Sequence, residues 1–139
     1  MATIPINPEN LRLGTGAGTS TATAGETITP FQLIYRASDG KVMKAVNTTA
    51  DEAALLGVAM TYAALDGQIG YIPISEGADV ILNSNSADFT KGDVYVISST
   101  AGQMEPAADL TTGDFCTVCA FAVSTTQLQM HNVQTGLEA

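Results

Sequence analysis

The 139-residue chain is predicted to be mostly β, a small antiparallel β-barrel or sandwich carrying a flexible N-terminal arm. Three observations predict it. From Gly25 onward apolar residues recur with period two, the mark of half-buried strands. Turn pairs punctuate those runs: Asp39-Gly40, Asp66-Gly67, Glu76-Gly77, Lys91-Gly92, Ala101-Gly102 and Thr112-Gly113. A strand-turn-strand pattern also occurs twice, from Thr29 to Val42 and, about 60 residues later, from Thr90 to Met104.

Residues 1–25 form the arm and residues 26–139 a single β domain of two pseudo-repeated hairpin units, a length that suits one core. In the arm, Ile4, Ile6, Leu11 and Leu13 are apolar without helical or strand periodicity. Gly14 to Gly25 is a Gly/Thr/Ala tract that buries too little to offset its ordering entropy. The segment reads either as a disordered terminus or as an arm that orders on a partner, with these four aliphatics, more than a solvating tail needs, as its contacts. Deletion of residues 1–24 is expected to leave the β domain folded.

In the first hairpin Phe31, Leu33 and Tyr35 share a face opposite Gln32 and Arg36. Thr49-Ala50-Asp51-Glu52 fits a capping box, but Gly57 stops the segment so early that a loop with one or two turns is expected. Gly57 to Thr61 is a small-residue strand, and Tyr71-Ile72-Pro73-Ile74 another, with Pro73 marking an edge or a bulge. Val80-Ile81-Leu82 follows. In the second unit Val94 and Val96 face away from Tyr95 and Ile97, Phe115 to Val123 is the longest strand, and Leu128 and Met130 share a face of the last.

Charged residues are only 14% of the chain, which suits a β protein in lasting contact with other protein. Net charge is −9, and all five bases precede residue 92. Direct nucleic-acid binding, which depends on Lys and Arg neutralising phosphates, is excluded, and anionic membrane surfaces are disfavoured. The longest continuous apolar run, Ala53 to Met60, is too short to span a bilayer, and Met1 to Glu9 lacks a secretion signal. Synthesis in a cytoplasm is expected.

No catalytic residue, metal site or cofactor site is expected. Cys116 and Cys119 stand at Cys-x-x-Cys spacing, but on a strand they point apart, and only His131 is there to complete a ligand set. Two structural cysteines are expected. His131, on the polar face of the last strand, has no nucleophile or orienting acid at a telling spacing. Asp79 and Asp88 flank Asn83 to Ser86 without the ordered positions of a calcium loop. Gly14-Thr15-Gly16-Ala17-Gly18 lacks the Lys-Ser/Thr of a phosphate loop.

Ala24-Gly25-Glu26, Thr29-Pro30-Phe31-Gln32-Leu33-Ile34-Tyr35, Asp39-Gly40-Lys41-Val42 and Ala45 together resemble the core of the capsid decoration (cement) proteins of tailed bacteriophages, the lambda-type head decoration family. Gly57-Val58-Ala59-Met60, Asp66-Gly67-Gln68 and Glu76-Gly77 keep the same cadence, so the resemblance covers residues 24–83, and the pseudo-repeat extends it. It implies a β-tulip-like domain on the outer capsid surface of the virion. It further implies a homotrimer at local three-fold positions that clamps the major capsid protein of an expanded icosahedral head. A ligand of the expanded lattice alone stabilises that lattice by mass action, and repeated weak contacts add up. The arm would dock by strand addition.

Two alternatives stay open. One is an adhesive or carbohydrate-binding β module of a virion; with no Trp and four Tyr, it lacks most of the stacking aromatics sugars favour. The other is a small enzyme with a barrel cavity, in which His131 must be essential.

Overall fold

The computed structural model describes residues 11–13, 20–74, 81–84, 89, 91–110 and 112–138; at 11–13, 84, 109, 131 and 133–138 it describes backbone alone. The chain is mostly β. In order come β1 (Leu11–Leu13), β2 (Ser20–Thr23), β3 (Leu33–Arg36), β4 (Val42–Lys44), β5 (Leu55–Ala59), β6 (Gln68–Pro73), β7 (Ile81–Ser84), β8 (Val94–Ile97), β9 (Met104–Pro106), β10 (Phe115–Ala122) and β11 (Gln127–Glu138). One turn of 3-10 helix, Ala107–Asp109, follows β9. Two antiparallel sheets result, β2-β6-β5-β3-β4 and β1-β7-β11-β10-β8-β9. Both are open, so the architecture is that of a sandwich and not of a closed barrel.

Without β1 the two sheets have one topology. In each unit a leading strand (β2 or β7) pairs with the last (β6 or β11), followed across the sheet by the fourth, the second and the third. The likeness reaches single hydrogen bonds. Phe31 N–H donates to Ala59 O and Ala59 N–H to Gln32 O; Gly92 N–H donates to Ala122 O and Ala122 N–H to Asp93 O. Each unit has a register shift at the same place: Leu56, between the partners of Ile34 and Tyr35, faces no residue of β3, and Cys119, between those of Tyr95 and Val96, faces none of β8. The duplication expected from the two hairpins is therefore a duplication of whole five-strand units.

The units differ where backbone conformation is most demanding. At the turn before the first hairpin strand Gly92 has φ +90°, while its counterpart is Phe31 with φ +67°. A bulky residue there is an outlier that glycine avoids. Phe31 is held because its side chain packs against the core between the sheets.

That core draws on both sheets: Leu33, Tyr35, Leu55, Val58, Ile72 and Ile74 face Leu82, Tyr95, Ile97, Met104, Leu128 and Met130. Leu33 and Tyr35 share it with Phe31 packed alongside, and Tyr95 and Ile97 enter it while Val94 is exposed, as the alternation predicts. Each fully buried side chain of this size contributes about 1.5–3 kcal/mol. Cys119 and Ala120 are neighbours yet both lie in this core, because the bulge between Val118 and Ala120 falls at Cys119.

A second core lies on the other face of the first sheet, built from Ala24, Ile28, Ile34, Val42, Ala59, Ala63, Ile69 and Tyr71. The chain leaving β2 covers it, and a single parallel bridge, Ala24 to Val42, brings that chain to the opposite edge strand β4.

Several details differ from the sequence reading. The segment read as arm contributes two strands: β1 on the edge of the second sheet and β2 on the edge of the first. Pro73 sits neither on an edge strand nor at a bulge; it ends the inner strand β6, past the last residue that β2 pairs. The Thr49 cap, by contrast, forms as read, with Glu52 N–H donating to Thr49 Oγ1 at 3.2 Å, and only turns follow before β5 begins at Leu55.

Candidate interaction surface

Of the four expected contact residues, Ile4 and Ile6 lie outside the described residues. Leu11 and Leu13 fall on β1, opposite Ser84 and Leu82 of β7. The structure thus places the middle of the arm at a sheet edge.

Of the residues singled out for chemistry, Cys116, Cys119 and His131 lie on the paired strands β10 and β11. Cys119 is buried between the sheets, its Sγ 3.5 Å from Tyr95 O, and burial pushes its thiol well above the ordinary range. Cys116 is half-buried, and neither cysteine is in a disulfide. His131 belongs to β11, with its side chain outside the description. Asp79, Asp88 and the Gly14–Gly18 tract lie outside the described residues. Among the described residues no three His, Cys, Asp or Glu side chains gather where they could hold a metal ion.

Polar order concentrates between the two units. Asn47 is fully buried; its N–H donates to Ser98 O, its carbonyl accepts from Phe115 N–H, and its Nδ2 donates to Ile97 O at 3.1 Å. Its Oδ1 has no hydrogen-bond partner among the described residues. The turn of the second hairpin lies on the first unit, with Leu33 N–H donating to Gly102 O and Gly102 N–H to Ala45 O. From β11, Asn132 Nδ2 reaches Leu55 O at 2.8 Å and Ile74 O at 2.7 Å. These bonds satisfy buried backbone where no ladder runs, and they lock the sheets in one register.

Among the described residues, two surface features on the first unit stand out. One is an open cleft of about 500 Å³ lined by Tyr35, Arg36, Ser38, Thr49, Asp51 and Glu52, with Ala37 and Ala54. Arg36 Nη1 donates to Gly40 O at 2.8 Å, and Thr48 and Thr49 hydroxyls hold Glu52 Oε1 at 3.0 and 2.9 Å. Burial, then the nearby Glu52 carboxylate, raises the Tyr35 hydroxyl above its ordinary pKa.

The other is the loop Met60–Gly67, which exposes Tyr62 (60%) and Leu65 (61%), the largest exposures of large apolar side chains among the described residues. Neither feature was singled out from the sequence. The available signal was composition: a tyrosine and a leucine set among Thr, Ala and Asp-Gly, where a solvated turn needs neither. The chain matches no known family model and no curated protein.

Proposed function

We propose that this chain is a capsid decoration (cement) protein. It would bind the outer surface of an expanded icosahedral phage head as a homotrimer and stabilise that head through contacts with the major capsid protein. The observation that carries the reading is the position of β1. Leu11–Leu13 lie on the outer edge of a sheet whose five-strand unit recurs in the other half, among the described residues, without any such strand. An arm that adds to sheet edges is the device that strand-addition docking uses. The stretch resembling the lambda-type family, residues 24–83, supports the reading too, because within it lie the β3–β4 hairpin and the small-residue strand β5.

Cosedimentation with expanded and unexpanded tailed-phage heads lacking their own decoration protein tests it. The full chain should sediment with expanded heads alone, and a version beginning at Ser20 should attach weakly or not at all. Failure of the full chain to attach to any expanded head would overturn the reading.

A further inference from the structure

The units share a fold but differ at the connection between their last two strands. In the second unit it is Val123–Thr126, four residues with Ser124, Thr125 and Thr126 making a polar turn. In the first it is Met60–Gly67, eight residues displaying Tyr62 and Leu65. The longer loop is not slack. Ala63 is buried in the second core and exchanges two backbone hydrogen bonds with Ile28, at 2.9 and 3.0 Å. Thr61 Oγ1 accepts Gly70 N–H, Asp66 N–H donates to Ala24 O, and the Asp66 carboxylate lies 2.6 Å from Lys41 Nζ. A tyrosine and a leucine are thus held in water at a fixed place, an arrangement that lowers the ordering cost of binding.

The cleft stands at the other end of the same strand. β5 starts directly after Ala54, which lines the cleft, and ends directly before Met60, where the loop begins. Its five residues set the two features about 17 Å apart at about 3.3 Å per residue. We propose that Tyr62 and Leu65 of one copy seat in the Tyr35–Ala54 cleft of the next, so that the chain associates head to tail.

The chemistry of the two features matches. The Arg36 guanidinium offers a cation for the Tyr62 ring, and the Asp51 and Glu52 carboxylates offer acceptors for its hydroxyl. Tyr35, Ala37 and Ala54 provide apolar contact for Leu65. The volume suits the guest, since small-ligand pockets run from roughly 300 to 1,000 Å³. Net charge of −9 opposes self-association, and Asp51 and Glu52 outnumber Arg36 in the cleft, but Asp66, the one acid of the loop, is paired with Lys41, so the contact itself is not like-on-like. Different patches meet at such a contact, and it closes into a ring where the rotation allows. The proposal deepens the oligomer of the cement reading, and rests on that reading only for the number of copies.

Light scattering on a sizing column, across a range of concentrations, tests it with three proteins. These are the natural chain, a knob-less variant (Tyr62→Ser with Leu65→Ser) and a cleft-filled variant (Ser38→Trp), each checked for native circular dichroism. The substituted side chains are exposed or line an open cleft, so the fold should be kept. The natural chain should be oligomeric and each variant monomeric. An equimolar mixture of the variants should form dimers and nothing larger, because only one knob and one cleft remain usable. A natural chain that is monomeric throughout, variants that keep its mass, or a mixture that stays monomeric would each overturn the proposal. Capsid cosedimentation separates the two readings: a monomer that still attaches to heads leaves the cement reading standing, and an oligomer that never attaches leaves only the head-to-tail contact.

Discussion

Gly57 in β5 has no space for a side chain. A Cβ there would meet the Ile72 carbonyl oxygen well inside contact distance and stand 3.1 Å from Pro73 Cα, both on the paired strand β6. Ladder backbone yields little, so Gly57→Ala should cost at least about 1–3 kcal/mol. Urea unfolding would read this as a lower midpoint; an unchanged midpoint would mean that β5 and β6 can separate freely. Cys119 makes stability depend on pH. Its thiol is raised by burial, whereas an unfolded cysteine ionises near about 8.5. Below that pH its contribution is present in full. Above it the unfolded chain gains by losing a proton that the native state keeps, so stability falls by at most about 1.4 kcal/mol per pH unit. Unfolding midpoints between pH 7.5 and 10 should show this decline, and Cys119→Ala should flatten it. Equal slopes in the two proteins would place its origin elsewhere.

Legibility at the element scale follows the size of the side chains. Both hairpins and the long strand β10 stand out because alternating large residues serve two faces. By contrast β2 is Ser-Thr-Ala-Thr, a sequence with weak pattern that becomes a strand because β6 supplies its ladder. β1, three residues long, is likewise a strand through β7. This changes what an arm deletion means. Removing residues 1–24 would take away β2 and Ala24, a member of the second core, and expose the edge of β6. A chain beginning at Ser20 should unfold cooperatively and only slightly earlier than the full chain, while one beginning at Gly25 should melt much lower. Equal melting of the two truncations would show that β2 adds nothing to the first sheet.

Over the whole molecule, duplication does not create two independent domains. The core between the sheets takes its side chains from both units, and Asn47, Gly102 and Asn132 bond across the divide. Residues 20–74 and 81–139 expressed apart should therefore show no cooperative unfolding, each exposing an apolar sheet face, and mixing them should restore it. Independent folding of either half would contradict a shared core. The sequence by itself determined the β class, the two hairpin units and their spacing, and the alternation that sends Leu33, Tyr35, Tyr95 and Ile97 inward. All of these follow from local periodicity and turn chemistry. Tertiary structure alone decided that the sheets stay open and face each other, that part of the expected arm is two edge strands, and that Asn47 is a buried junction. It alone also held Tyr62 and Leu65 in water, because Ala63 between them is anchored on Ile28, a partner 35 residues away in the chain. Burial and pairing with such distant partners leave no mark in a window of a few residues.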